Sequence, residues 1–170
     1  TALTSLHCFS TQLTSLDVSN NNALTYLDCS SNQLTSLDAI NNTALTVLNC
    51  SSNQLTSLDV SNNTALTFLD CSNNNLSSLD VSPNIVLTQY YCSENNLLTN
   101  LDLRNGNNIN FTDFEAINND SLYCISVDDS TWSANNWTNI DSHTNFSNDC
   151  NPSNVDIIEI EKNISFYPNP

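Results

Sequence analysis

Leucines set the rhythm of this chain. Leu24, Leu27, Leu34 and Leu37 return as Leu45, Leu48, Leu55 and Leu58, then as Leu66, Leu69, Leu76 and Leu79, with Ser, Thr, Asn and Asp between them. The stretches 24–44, 45–65 and 66–86 are near-copies. Their register is marked by Cys8, Cys29, Cys50, Cys71 and Cys92, each 21 residues after the one before. A period this short predicts a solenoid, because one unit cannot bury its own apolar face and must stack on its neighbours. Leu27-Asp28-Cys29 alternates in-out-in as a strand does, so Leu27 and Cys29 point inward while Tyr26, Asp28 and Ser30 point to the concave face. Residues 34–39 repeat the alternation but are too few for a helix, and their Ser and Thr compete with helix formation. Short extended or 3₁₀ segments are expected there. Five such coils stack to about 25 Å at ~4.8 Å per strand.

The pattern decays at both ends. Thr11 stands where later coils carry Asn32, and the fifth coil holds an extra residue at Leu97-Leu98. Arg104-Asn-Gly106-Asn-Asn reads as a turn around the only glycine. A degenerate sixth coil follows, in which Phe114-Glu-Ala116 takes the places of Leu37-Asp-Ala39, and Leu122, Ile125 and Val127 those of Leu24, Leu27 and Cys29.

The order Leu24, Leu27, Cys29, Asn32, Leu34, Leu37 fits L-x-x-L-x-L/C-x-x-N-x-L-x-x-L. It resembles the leucine-rich repeat, in the short form found in secreted proteins of Bacteroidota, over residues 3–103. The resemblance implies a β-rich solenoid with little or no helix, an asparagine ladder at Asn32 and its equivalents, and a C-terminal cap. Residues 122–150 look like the closing segment that follows such repeats, with Trp132, Trp137, Ile140 and Phe146 folding over the last coil. Phe166-Tyr-Pro-Asn-Pro170 resembles the opening of the sorting domain of type IX secretion cargo, which would make the type IX machinery a partner. The expected division is a solenoid over 1–121, a capping segment over 122–150 and a linker over 151–170 leading into an absent sorting domain.

Charge narrows the partners. The 170 residues carry 18 acidic against two basic side chains, a net charge of −16. Such a surface repels nucleic acid and anionic membranes. No 18-residue apolar run exists to span a bilayer. Thr1-Ala2-Leu3 matches Thr43-Ala44-Leu45, a repeat boundary without a capping unit. The expectation is a fragment of a longer secreted protein, or one whose cap a partner supplies.

Several columns could carry chemistry. The five periodic cysteines read as buried free thiols acting as small apolar residues. A single column one strand apart cannot form a zinc tetrahedron. Cys124 and Cys150 stand outside that column, and in an exported protein they are expected to be bridged. Asp17, Asp38, Asp59, Asp80 and Asp102 line the convex side. Hydrogen bonds from backbone N–H or hydroxyl groups explain them best, and a Ca²⁺-binding column is the alternative cofactor reading. The concave columns vary between coils: Tyr26, Asp28, Val47, Asn49, Phe68, Asp70 and Tyr91 are the candidate ligand-binding residues, suited to a protein or surface glycan. The two Trp suggest sugar stacking, although covering an open solenoid end accounts for them more simply. Ser130 and Ser121 are similar to D-S/T-x acceptors for O-glycans of exported Bacteroidota proteins, with Ser130 expected to be the more exposed. No H-E-x-x-H, G-x-S-x-G or phosphate-cradling loop supports catalysis.

Three functions remain: a non-catalytic secreted or cell-surface interaction module exported as type IX cargo, an accessory subunit of an outer-membrane complex, and a targeting arm of a larger enzyme.

Overall fold

The computed structural model describes residues 2–150. The expected linker and its Phe166-Tyr-Pro-Asn-Pro170 motif lie outside the described residues. The chain winds into a β-solenoid of about 7 turns with a 21-residue period. On the front, β1 (Ser5–His7), β2 (Tyr26–Asp28), β3 (Val47–Asn49), β4 (Phe68–Asp70), β6 (Gln89–Tyr91) and β8 (Asp113–Glu115) form one parallel sheet in that order. On the back, β5 (Ser78–Asp80), β7 (Asn100–Asp102), β9 (Cys124–Ser126) and β10 (Asn145–Ser147) form a second parallel sheet. The back of the first three coils carries no regular strand. No helix among the described residues is long and apolar enough to cross a membrane.

The core follows from the register. Leu6, Leu27, Leu48, Leu69, Tyr90 and Phe114 stack as the central residues of successive front strands. Leu24, Leu34, Leu45, Leu55, Leu66 and Leu76 are fully buried around that column. Each coil alone is too thin to exclude water, so burial is shared between neighbours.

The corners are held by polar ladders that replace the bulk a small repeat lacks. Asn53 Nδ2 donates to the carbonyls of Cys29 and Cys50, both at 3.1 Å, and its Oδ1 accepts from Leu34 N at 2.9 Å. Asn32, Asn74 and Asn95 repeat the arrangement. The opposite corner has a second asparagine column: Asn63 Nδ2 donates to Ala39 O and Asn42 O, both at 2.9 Å. At the entry to the front sheet, Thr46 Oγ1 donates to Thr25 O at 3.0 Å and Thr67 Oγ1 to Thr46 O at 3.1 Å. After each cysteine position the chain turns through a left-handed residue, Ser31, Ser52, Asn73, Glu94 or Asn118, with φ between 54° and 59°. That region is costly without glycine. Inter-coil hydrogen bonds such as Ser52 N to Ser72 O at 2.9 Å help hold it.

The sixth coil differs from the expected alignment. Phe114 pairs with Tyr90 in the front sheet, not with the back segment, and Ala116 takes the cysteine position. Ile125 pairs with Leu101 in the back sheet. The two half-coils are therefore exchanged. From Cys92 to Ala116 is 24 residues, three more than the period, so counting by 21 loses phase there. Because both half-coils alternate in-out, the apolar pattern does not restore it.

Beyond β9 the next turn bulges into a short helix, α1 (Ser130–Asn136), whose N-cap Asp129 accepts from Trp132 N at 2.9 Å. An isolated bridge from Ala116 to Ile140 extends the front, and β10 extends the back. Trp137 is buried, while Trp132, Ile140 and Phe146 pack partly buried against the core. Cys124 and Cys150 form a disulfide with Cα atoms 5.8 Å apart.

Candidate functional site

The front sheet brings the varied positions together on one face. Tyr26, Asp28, Val47, Asn49, Phe68, Asp70 and Tyr91 are all half-buried residues flanking the buried column. They stand there because strand alternation turns every second side chain outward and the unbroken register stacks like positions. Tyr26 lies opposite Val47 and Val47 opposite Phe68; Asp28 lies opposite Asn49, and Asn49 opposite Asp70.

The face has an aromatic and an acidic component. The His7 and Tyr26 rings are 4.5 Å apart, and those of Phe68 and Tyr91 are 5.6 Å apart. Asp28 Oδ1 accepts from Ser30 N at 3.1 Å and Ser30 Oγ at 2.7 Å, and Asn49 Oδ1 accepts from Ser51 in the same way. Asp70 Oδ1 accepts from Ser72 N at 3.0 Å. Each of these side chains thus fixes its own turn and is held in one orientation. Tyr91 OH donates to Asp113 Oδ2 at 2.6 Å. Desolvation pushes the Tyr91 hydroxyl up to about 12, reinforced by that bond and by nearby Glu115 and Asp70.

Asp113 and Glu115 belong to this face and were missed, because the lost phase of the sixth coil assigned them to the back. The signal that finds them is the threonine that precedes each front strand. Thr112-Asp113-Phe114-Glu115 repeats Thr25-Tyr26-Leu27-Asp28, and Thr112 Oγ1 donates to Thr88 O at 3.2 Å, continuing the ladder.

The other candidates take separate places. Cys29, Cys50, Cys71 and Cys92 are buried free thiols and Cys8 is half-buried. Their Sγ atoms lie 3.6, 3.5, 3.4 and 3.6 Å from the carbonyl oxygens of Asn49, Asp70, Tyr91 and Glu115. Burial pushes the Cys29 and Cys92 thiols up to about 12, and raises Cys50 and Cys71 well above their ordinary value. Such thiols are inert at neutral pH. Asp17, Asp38, Asp59, Asp80 and Asp102 each accept from the backbone N–H two residues on, at 2.8 to 3.1 Å. The Ser19 and Ser61 hydrogen bonds hold Asp17 and Asp59 below the usual carboxylate range. Asp102 is lowered chiefly by Arg104, whose Nη2 reaches its Oδ2 at 2.6 Å. Ser121 and Ser130 are both half-buried, so exposure does not separate them.

Ser5 Oγ and His7 Nε2 are 3.1 Å apart, but both residues are exposed. No carboxylate among the described residues hydrogen-bonds the imidazole. This is a surface contact without the oriented third group that activates a nucleophile.

The family described as Leucine Rich repeats (2 copies) matches residues 22–63 and again 43–84. None of the curated proteins compared with the chain matches it. Among solved structures, it is similar to the functional domain of InlJ from Listeria monocytogenes, which includes a cysteine ladder, at 42% identity and a TM-score of 0.59. That match covers 74% of this chain and 25% of InlJ's. A leucine-rich-repeat protein of Leptospira interrogans shares the fold at 16% identity and a TM-score of 0.56, over 85% of this chain and 48% of that one. The chain thus spans a quarter to a half of the structures it resembles. It is a leucine-rich-repeat solenoid with internalin-like neighbours.

Proposed function

We propose that this chain is a non-catalytic recognition module, secreted or held at the cell surface, that binds a protein partner through its front face. The observation that carries the reading is the contrast on that face. Its flanking positions change from coil to coil, while the leucines, asparagines and threonines around them repeat. Side chains that the fold does not dictate are free to be shaped by a partner. Aromatic side chains such as Tyr and Phe are enriched at the buried core of protein interfaces. A leucine-rich-repeat fold with internalin-like neighbours is consistent with such a role.

Purified protein tested against a panel of extracellular protein domains should give saturable binding to at least one of them. Replacing Phe68 and Tyr91 together by Ala should weaken it at least tenfold, about 1.4 kcal/mol or more, without lowering the melting temperature of the repeat domain. Binding that survives this change, or no saturable binding at all, overturns the assignment.

The proposal extends to export as type IX cargo. Support comes from the short Bacteroidota-like repeats and the Phe166-Tyr-Pro-Asn-Pro170 motif. Deletion of everything after Cys150 in the native host should leave a folded protein that is no longer delivered to the surface. Normal delivery of the shortened chain removes the cargo assignment and leaves the binding face untouched.

A further inference from the structure

Where the front sheet ends, the repeat currency of Leu, Asn and Thr gives way to rings. Phe111, Phe114 and Trp137 are packed together, with centroids 4.5 Å apart for Phe114 and Trp137 and 5.3 Å for Phe111 and Trp137. Trp132 meets Trp137 edge-on at 5.7 Å and 86°. Between the start of β8 and α1 these four rings line an open cleft of about 210 Å³. Phe111, Phe114 and Trp137 are buried and form its floor, while Trp132 stands half-buried at one side. The other lining residues, among them Thr112, Asp113, Asn136, Thr138 and Asn139, are exposed and polar.

We propose that this cleft is a second, separate binding site that accepts one neutral sugar ring of a glycan, stacked on Trp132 and hydrogen-bonded to the polar rim. Three features select that ligand. The first is size. The cleft falls below the ~300–1,000 Å³ that encloses a drug-sized molecule, so it suits a single ring or the end of a chain. The second is the hydrogen-bonding character of the rim. Asn136 spends its Nδ2 on Trp132 O at 2.8 Å, and the nearest contact of Asn139 Nδ2 is Glu115 Oε1 at 3.4 Å, which leaves both amide oxygens as acceptors. Asp113 commits Oδ2 to Tyr91 and keeps Oδ1. An acceptor-rich rim calls for a ligand that brings O–H donors on several sides, which a polyol does. The third is charge. Asp113, Glu115 and a chain charge of −16 repel a carboxylated or sulfated sugar. A quaternary ammonium ion would need several exposed ring faces around it. Here three of the four rings are buried, and only Trp132 is partly exposed.

The site is distinct from the protein-binding face, although Asp113 stands at the border of both. Its occupancy does not depend on that reading.

The experiment uses an accident of composition: the chain has two tryptophans, and both line this cleft. Intrinsic tryptophan fluorescence therefore reports on the site alone. Titration with a panel of neutral oligosaccharides (maltose, cellobiose, lactose and diacetylchitobiose) should give a saturable emission change in the millimolar range with at least one. Asn139→Ala should weaken that response at least tenfold while leaving the melting temperature unchanged. Phe68→Ala should leave it intact, which separates the cleft from the front face. Trp132→Phe keeps a ring in place and should retain part of the affinity by calorimetry. The proposal is overturned by the absence of any saturable response, by a response unchanged in Asn139→Ala, or by one given only by choline or by sialic acid.

Discussion

The regular coils over residues 24–86 and the coils after them are held together by different means. In the first region every coil repeats the same small set of bonds: a thiol beside the next strand's carbonyl, an asparagine at each corner and a threonine at the sheet entry. No strand ladder runs along the back there until β5 opens one at its far end. After Leu87 the repeated parts drop out one by one. Tyr90 and Phe114 replace leucine, Ala116 replaces cysteine, and Asp141 takes over an asparagine's task by accepting from Asn118 N at 2.9 Å and Asn119 N at 2.7 Å. In exchange come a back sheet, a ring cluster and a disulfide. The lesson is that a ladder is a distributed device, whose strength comes from repetition. Where repetition ends, a few large and specific contacts must substitute.

The largest expected effect tests that division. Trp137 touches Phe111, Phe114, Trp132 and Phe146, so Trp137→Ala should cost about 3–5 kcal/mol. Leu48→Ala in the regular region should cost about 2–5 kcal/mol. The two should differ in reach. Hydrogen exchange should show the Trp137 damage concentrated after residue 100, and the Leu48 damage centred on β2 to β4. Equal spread in both variants would show that the solenoid melts as one unit and that the comparison has no energetic meaning.

Next in size is the disulfide. Cys124 and Cys150 lie 26 residues apart, a loop whose closure is worth about 3.5 kcal/mol on chain-entropy grounds. Replacing both by Ser should lower the urea midpoint and expose 124–150 to chymotrypsin, while the hydrogen-exchange protection of β2 to β4 stays unchanged. The five remaining cysteines should react with a thiol reagent only after unfolding, Cys8 excepted, since it is half-buried.

How far the sequence announced all this varied with the repetition itself. The 21-residue spacing of cysteines and leucines located the front strands, the core column and Asn32 with its equivalents. The same spacing also marks the second asparagine column at Asn21, Asn42, Asn63, Asn84 and Asn105. The sixth coil was not legible by counting, because the extra residues around Leu97 and Gly106 shift the phase while leaving the in-out alternation intact. That shift hid Asp113 and Glu115. Nor could spacing foretell that Phe111, Trp132 and Trp137 converge, since none carries a repeat position to mark its neighbours. The outward residues of the front face were found because alternation alone decides them.

Alkaline pH should separate the regions further, at about 1.4 kcal/mol per pH unit for each thiol involved. The ladder thiols have their folded values raised by burial, Cys29 and Cys92 to about 12, from an ordinary value of 9.0. Below 9 they are neutral in both folded and unfolded chains and stability does not depend on them. Above it the unfolded chain releases protons that the folded chain retains, so stability falls as pH rises towards the folded values. Denaturant midpoints should drop steeply as pH rises above about 9, and Cys50→Ala should flatten the slope while costing only a few tenths to ~1.5 kcal/mol at neutral pH. A slope unchanged in Cys50→Ala would assign the alkaline transition to another group.

The smallest effect is expected to be a gain, at the junction between the two regions. Tyr90 is fully buried in the leucine column, and its hydroxyl has no nitrogen or oxygen partner within hydrogen-bonding distance. Burial and the nearby Cys92 and Cys71 thiols push that hydroxyl well above its ordinary range. A thiol is a poor hydrogen-bonding group, so most of the cost of removing the hydroxyl from water goes uncompensated, and an unpaired buried polar group costs about 1–3 kcal/mol. The column itself shows that the bare ring fits. Phe114 occupies the equivalent place in the next coil, with its ring 5.9 Å from that of Tyr90. Tyr90→Phe should therefore raise the stability of the fold by about 1 kcal/mol, as an upward shift in the urea midpoint with an unchanged slope. It should also blunt the alkaline transition, because one of the buried acids is gone. A loss of stability instead would mean that the two thiols bind the hydroxyl well enough to offset its burial. In that case Tyr90 would be a working member of the cysteine ladder, and the boundary between the two regions would move from Leu87 to the coil beyond it.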